Sequence, residues 1–513
     1  MKRLNSNAVL LLCLAPLASV ACGDDSRAPT EPSSAVTLTD AESEADLASV
    51  NGNGTVRVTS SDDMVAGSFR AAILEANDNP GIRTIQFAPG LGTISIDETV
   101  TFTGAQHLVI DGKDAIIDAT GVAAGTDAFL AIGGGDLTLR KLTVQGADGN
   151  GVRVEVPAGR SGVQELTLEH VTVQHNGLHG VHFDDQANNS PANTSLIVRD
   201  SHIIENGFVG ISDWDGIRQD EGGEGDLFAR IQNSHFTGNG ADGFEADEKG
   251  NGSTFVTARN STFNENGPRD PADLDDGLDI DEAGPGGIYF EGSGLELNDN
   301  FDEGLDLDEE GSGDLEIRLT NVIANRNTDE GVKGTEDKEC EPSDDDETLN
   351  ADPAACALAG GSVRLTFRGL TTIGNGAEGT QVEEFGAGDV DADVRNLLAT
   401  DNSDEGIQIG EDDELGDVLA PASTGGSMSV EFHNVVTNDN DDGQKIEALE
   451  FSGGTGTLTA RLFNSVAKDN DDDGIVVGRE GGVQGTLLLV NRETTGNGDD
   501  DLNDDGVNVT ERP

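Results

Sequence analysis

Beyond about residue 150 the aliphatic residues fall in short alternating runs separated by polar turns, and the runs recur as a phrase. The phrase is Asn, a few polar residues, Gly, an aliphatic residue, a polar residue and a second aliphatic one. It is written "NGLHGVHF", "NGFVGISD", "NGADGFEA", "NFDEGLDL", "NTDEGVKG", "NGAEGTQV", "NSDEGIQI" and "NDDDGIVV". Its glycines, Gly180, Gly210, Gly243, Gly277, Gly304, Gly331, Gly379, Gly406, Gly443, Gly474 and Gly506, are mostly 27 to 37 residues apart. Alternation predicts strands, and a period of that size holds three short strands and three turns, one coil of a solenoid. "LIVRDSHI" and "LEIRLTNV" supply further strands between the phrases. Because strand side chains alternate, Leu278 and Ile280 are predicted to point inward and Asp279 and Asp281 outward.

An Asn precedes each turn, at Asn176, Asn206, Asn239, Asn300, Asn327, Asn375, Asn402, Asn440, Asn470 and Asn497. Asn tolerates left-handed backbone angles, and stacked coil on coil its amides form a hydrogen-bonded ladder. Ahead of the repeats, "GSFRAAILEANDNPGIRTIQF" at 67–87 puts Phe69, Ile73 and Ala76 on one helical face, a short helix suited to covering the open core of the first coil. This stretch resembles the "SLREAI…AN" element at the start of many bacterial surface β-helix proteins. From about residue 80 onward the pattern resembles the right-handed parallel β-helix of the pectin-lyase-like superfamily. The resemblance implies an all-β fold, a right-handed parallel β-helix solenoid with a short N-terminal capping helix, of about 15 coils and ~70 Å.

Composition supports one thin core shared along an array. Hydrophobic residues are 35% and aromatics 4% of the 513 residues, with 69 Gly, one Trp and one Tyr, too few large side chains for several globular cores. At the N-terminus Lys2 and Arg3, an apolar run and small residues up to Cys22 read as a secretion signal. Ala18, Ser19, Val20 and Ala21 resemble a bacterial lipoprotein cleavage box, which implies a signal peptide over 1–21 and a lipid-modified Cys22; a plain secreted protein is the other reading. A flexible acidic tether then spans 22–54, the cap helix and first strands 55–90, and the solenoid 91–513. The expected location is extracytoplasmic, lipid-anchored to the bacterial outer membrane or cell surface. Cys340 and Cys356 are expected to pair there and staple an insertion at 336–361, with a stabilisation of roughly 3 kcal/mol in the chain-entropy model.

Charge changes the picture most. With 98 acidic and 30 basic residues the net charge is −68 and the pI about 4.1. Contact with nucleic acid is excluded, the membrane is met through the N-terminal lipid alone, and the chain is expected to be a monomer. The most acidic phrase is written twice, "DDGLDIDEAG" at 275–284 and "DEGLDLDEEG" at 302–311. Stacking predicts an outer column Arg153, His182, Ser212, Glu245, Asp279, Asp306, Lys333, Gln381, Gln408, Lys445, Val476 and Asn508. Its neighbour runs Glu155, Asp184, a slot near Trp214, Asp247, Asp281, Asp308, Thr335 and Glu383.

Two carboxylates ~5 Å apart repel by about 3 kcal/mol at an effective dielectric of ~20. Calcium, which takes hard oxygen ligands at flexible distances, relieves that cost. The candidate ligands are Asp242, Asp275, Asp276, Asp279, Asp281, Asp302, Glu303, Asp306 and Asp308; a solvated acidic face is the alternative. "DNDDDGIVVGRE" at 469–480 matches a calcium-loop pattern through Asp469, Asp471, Asp473, Gly474 and Glu480.

"ADGFEADEKG" at 241–250, "DDGLDI" at 275–280 and "GVKG" at 331–334 resemble successive rung motifs of family 9 polysaccharide lyases. The resemblance implies calcium on Asp242, Asp275, Asp276 and Asp279, with Lys333 as the base that takes the proton α to a uronate carboxylate. The extra phrase "DEGLDL" sets Asp279 about two rungs, or ~10 Å, from Lys333; ligands at Asp302, Glu303 and Asp306 restore adjacency. Neighbouring carboxylates raise a lysine pKa, which opposes a base. His occurs only eight times, and exposed aromatic platforms for sugar rings are nearly missing. Together these readings describe a lipid-anchored, calcium-binding cell-surface protein that contacts glycans such as an acidic polysaccharide, or acts in adhesion. The alternative is a calcium-dependent, pectate-type lyase acting by β-elimination.

Overall fold

A computed structural model describes residues 54–513 apart from 187, 272–273, 337–360, 385–387, 412–425, 449–455, 480–483 and 505–506. The expectations for residues 1–53 with Cys22, for the Cys340–Cys356 pair and for Glu480 lie outside the described residues.

Each alternating run pairs with the coil before and the coil after. One coil runs through Leu227–Gln232 and His235–Thr237, turns at Asn239 and continues as Phe244–Glu248. The next repeats it as Thr254–Arg259, Thr262–Asn264 and Leu278–Glu282. Two sheets result among the described residues, one of 13 strands and one of 24. The 13-stranded sheet is parallel throughout. At strand spacing it is roughly 60 Å long. This is a right-handed parallel β-helix. Inward positions fill one continuous core, for example Leu227, Ala229, Ile231, Phe236, Phe244 and Ala246, and like residues stack: the Phe236 and Phe263 rings lie 4.6 Å apart.

The first coil is closed by the helix Phe69–Asp78, which begins where Ser68 accepts a hydrogen bond from the Ala71 N–H. It buries Phe69, Ala72, Ile73 and Ala76, and Phe69 packs on Phe87 and Phe129.

The asparagines form the predicted ladder, with Asn266 as an added member. Asn206 Nδ2 donates to Asn239 Oδ1 at 3.1 Å, Asn239 to Asn266 at 3.0 Å, Asn266 to Asn300 at 3.2 Å and Asn300 to Asn327 at 3.1 Å. The left-handed residue is not the Asn, as expected, but the one before it: Glu205, Glu265, Asp299 and Arg326 have φ of 50°, 60°, 62° and 58°. That twist aims the following Asn inward, where its amide is fully used. Asn300 also donates to the Phe263 carbonyl, and its Oδ1 accepts from the Asn266 backbone. Asn300→Ala strands these groups and is expected to cost about 1–3 kcal/mol by urea denaturation.

Candidate functional site

The small sheet carries two outward columns on its face and a third side-chain column at the strand ends. In register along the first lie Arg153, His182, Arg218, Glu245, Asp279 and Asp306. Lys333 follows, because Asp308 pairs with Thr335. The second column is Glu155, Asp184, Asp220, Asp247, Asp281, Asp308, Thr335 and Glu383.

Two expectations are corrected here. Ser212 and the slot near Trp214 belong to Arg218 and Asp220: residues 209–214 leave the coil after the ladder Asn206, and Gly216, not Gly210, leads into the strand Ile217–Glu221. The Asp-Gly pair at 215–216 in "GISDWDGIRQD" was the signal for it. Asn508 lies in the strand Asn508–Arg512 of the large sheet, and Asn503 is what bridges Val476.

With Arg218 in place the first column reads basic, acidic, acidic, acidic, basic. Arg218 contacts Asp213 at 2.7 Å, Asp220 at 2.9 Å, Glu245 at 2.6 Å and Asp247 at 2.5 Å. Burial alone would lower its pKa, but Glu245 and Asp247 hold it well above the ordinary value. At the other end Lys333 Nζ lies 2.7 Å from Asp306 Oδ2 and 3.1 Å from Glu303 Oε1. Burial again works against its charge; Asp306, Asp308 and Glu303 outweigh it and keep the ammonium well above the usual lysine range.

Between these two cations sit Asp279 and Asp281, which have no hydrogen bond and no ion pair among the described residues. Both carboxyls are pushed well above the ordinary range by burial first, then Asp279 by Asp281, Asp242 and Asp306, and Asp281 by Asp247 and Asp308.

Asp242, Asp276 and Glu303 stand on the turn just before this sheet. Asp242 Oδ1 accepts from the Asp276 N–H and Asp276 Oδ1 from the Glu303 N–H at 2.6 Å. One oxygen of each Asp therefore stitches coils together. Oxygens of Asp276, Glu303 and Asp306 converge within 4.8 Å of one another, as do oxygens of Asp213, Asp215, Asp242 and Glu245. Asp275 and Asp302 are half-buried beside the turn, and the Asp302 carboxyl rises to about 8 through burial and Glu303. Asp308, raised to about 8 by burial and then Asp306, faces outward.

The 469–480 stretch is a solenoid turn. Asp469 is the left-handed residue before Asn470, and Asp473 accepts from the Asp500 N–H and from Asn503 Nδ2. Asp473 converges with Asp472 and Asp499, whereas Asp471 lies outside that group.

Sequence reasoning missed the third column. At the strand ends Glu221, Glu248, Glu282, Glu309, Glu336 and Glu384 stack in register, each at most 1% exposed. One oxygen of each accepts from a glycine N–H in the following turn, from Gly223, Gly250, Gly286, Gly313, Gly361 and Gly388. These turns are tight: a Cβ on Gly313 would lie 1.3 Å from the Gly286 carbonyl oxygen. The other oxygen of Glu221, Glu248, Glu282, Glu309 and Glu336 is buried with no partner but the neighbouring carboxyl of the column, which can donate only when it is protonated. Burial, then the neighbouring carboxyl, raises Glu221 to about 9 and Glu282 to about 10. Alternation was the overlooked signal, since it puts Glu282 on the same side as Leu278 and Ile280.

A few aromatic rings do reach the outside of the coil. Phe228, Phe255 and Tyr289 stack on the outside of the large sheet at 5.1 and 4.8 Å. Phe208 and Phe301, 42% and 40% exposed, line an open groove of about 1260 Å³ with Val209, Pro268, Glu205 and Glu265.

Removing the positive end of the strip tests its electrostatics. Lys333→Met leaves Glu303 and Asp306 without their cation and is expected to cost up to about 3 kcal/mol in chelator. Thermal melts with and without calcium measure the loss and its partial recovery.

No family model and no curated protein matches the chain. Among solved structures it is similar to the catalytic domain of a GH87 α-1,3-glucanase in complex with tetrasaccharides, at 13% identity over 88% of this chain and 68% of that one, with a TM-score of 0.35. It is similar to pectate lyase Pel9A at 15% identity over 87% and 80%, TM-score 0.29. The Azotobacter vinelandii mannuronan C-5 epimerase AlgE4 A-module matches at 15% over 86% and 93%, TM-score 0.32. These likenesses concern the coiled fold alone.

Proposed function

We propose that this is an exported, lipid-anchored β-helix protein whose small sheet binds calcium and presents it to glycans at the cell surface. The observation that carries the reading is the Asp279–Asp281 rung. Among the described residues it has no counter-cation of its own, while Arg218 and Lys333 on either side are already spent on other carboxylates. A divalent ion at Asp279, with oxygens from Asp276, Asp281 and Asp306 nearby, neutralises the strip with hard ligands. Its outward side stays open to the carboxylates of an acidic polysaccharide. The Phe208 and Phe301 groove favours glycan contact as well, since exposed rings supply stacking faces.

The lyase reading is the weaker one, because Lys333 is held protonated by three carboxylates and a base must be neutral. Calorimetric titration of the soluble body with calcium tests the proposal: Asp279→Asn is expected to remove one equivalent of binding. If wild type and Asp279→Asn take up the same calcium, the reading fails. Polygalacturonate and alginate are expected to be bound in calcium without any rise in ultraviolet absorbance from unsaturated uronate.

A further inference from the structure

The loop that leaves the coil at 209–214 brings two more carboxylates to the strip. Asp213 Oδ2 reaches Arg218 at 2.7 Å, and Asp215, fully buried, sits one coil before Asp242. Asp215 Oδ1 accepts from the Asp242 N–H at 3.2 Å, but its Oδ2 is buried without a hydrogen-bond donor.

Near that oxygen are a histidine, a guanidinium at the edge of contact and the Glu245 carboxyl, which serves Asp215 only when it carries a proton. His179 Nδ1 lies 3.1 Å from Asp215 Oδ2, yet the same nitrogen accepts the Asp215 backbone N–H at 3.0 Å, so a lone pair faces a lone pair. Arg218 stops 3.9 Å short, its N–H groups spent on Asp213, Asp220, Glu245 and Asp247. Asp220 and Asp247 have further partners in His182 at 2.7 Å and Lys249 at 3.2 Å. That leaves Asp213, Asp215 and Glu245 around one guanidinium with Asp242 beside them, one oxygen from each of the four inside 4.8 Å of the others.

We infer that Asp213, Asp215, Asp242 and Glu245 form a second divalent-cation site, distinct from the Asp279 rung and of the calcium class. A calcium ion about 2.3–2.6 Å from each ligand spans oxygens up to about 5 Å apart, which is the size of this cluster. Four carboxylates and no softer ligand exclude a preference for zinc or copper. The ion gives Asp215 Oδ2 its partner, and it pins the 209–214 loop to the coil through Asp213.

The loop carries its own reporter. Trp214, the one tryptophan of the chain, lies between Asp213 and Asp215 and packs edge-on against His179 at 5.0 Å. Terbium, a luminescent ion of calcium-like chemistry, is therefore the probe. The full chain is titrated with terbium while Trp214 is excited at the red edge of indole absorption, where Tyr289 does not absorb. The expected result is saturable Trp-sensitised emission that calcium competes away. Asp215→Asn weakens the affinity about tenfold or more, and Asp279→Asn leaves the Trp-sensitised signal in place while losing calorimetric calcium. Asp213→Asn, at the loop surface, serves as the second variant and lowers the affinity too; melting of each variant in chelator verifies its fold. No sensitised emission, or emission unchanged in folded Asp215→Asn, overturns the site and shows that a proton alone serves Asp215. Either outcome is separable from the Asp279 reading, which is scored by calorimetry.

Discussion

Saturating calcium is expected to raise the melting temperature of the wild-type body by several degrees, and Asp279→Asn with Asp281→Asn to remove the share of that rise that the Asp279 rung contributes. An ion present at about 100 times its Kd stabilises the folded chain by about 2.7 kcal/mol, provided that the unfolded chain does not bind it. The unfolded chain cannot reproduce the site, because Glu245, Asp279 and Asp306 are neighbours only through strand register. In chelator the sign of the substitution reverses. Asp279 is surrounded by Asp281, Asp242, Asp306 and Glu245, so replacing it with a neutral isostere relieves repulsion and the double variant melts above wild type. Differential scanning calorimetry in chelator and in calcium measures both effects. A double variant that responds to calcium as wild type does would remove the central site from the account.

Alkaline pH is expected to destabilise the chain through its glutamate column. Burial raises Glu309 to about 7, Glu221 to about 9, Glu282 to about 10 and Glu336 to about 11, from an ordinary 4.5. A raised carboxyl means that the folded state keeps a proton which the unfolded state has released. The unfolded state binds fewer protons, so stability falls as pH rises. The loss begins above the unfolded value near 4.5, and each group contributes until its folded value is passed: first Glu309, then Glu221, Glu282 and Glu336. Glu282→Gln carries its own N–H donors and no charge. It is expected to flatten the slope and to raise stability at pH 8 relative to wild type. Urea denaturation at fixed chelator across pH 5 to 9 reads this, and a Glu282→Gln variant whose slope matches wild type would show that the column titrates elsewhere.

The period of the asparagine phrase and the alternation around it made the solenoid legible in the sequence, down to which side of the sheet Asp279 and Asp306 face. Alternation and repetition are local properties, and a repeat whose coils contact only their neighbours turns local pattern directly into fold. The acidic strip was legible for the same reason, since Asp279, Asp306 and Lys333 share a place in successive phrases. Where the period was interrupted, legibility ended. The six-residue excursion at 209–214 shifted the frame, so Arg218 and Asp220 were not recognised as members of the columns, and of the two positive ends of the strip only Lys333 was seen.

What the chain dictated by itself was a parallel coil with a negative face, because hydrophobic spacing and charge are carried by each residue independently. Which carboxylates are neutralised, and which are not, was decided only in three dimensions. Arg218 and Lys333 are each claimed by several acids at once, Asp215 faces a histidine lone pair, and Glu282 is sealed behind the outward aspartates. Those outcomes depend on distances of a few ångströms between residues some 30 positions apart, set by the rise from one coil to the next rather than by any one residue's chemistry.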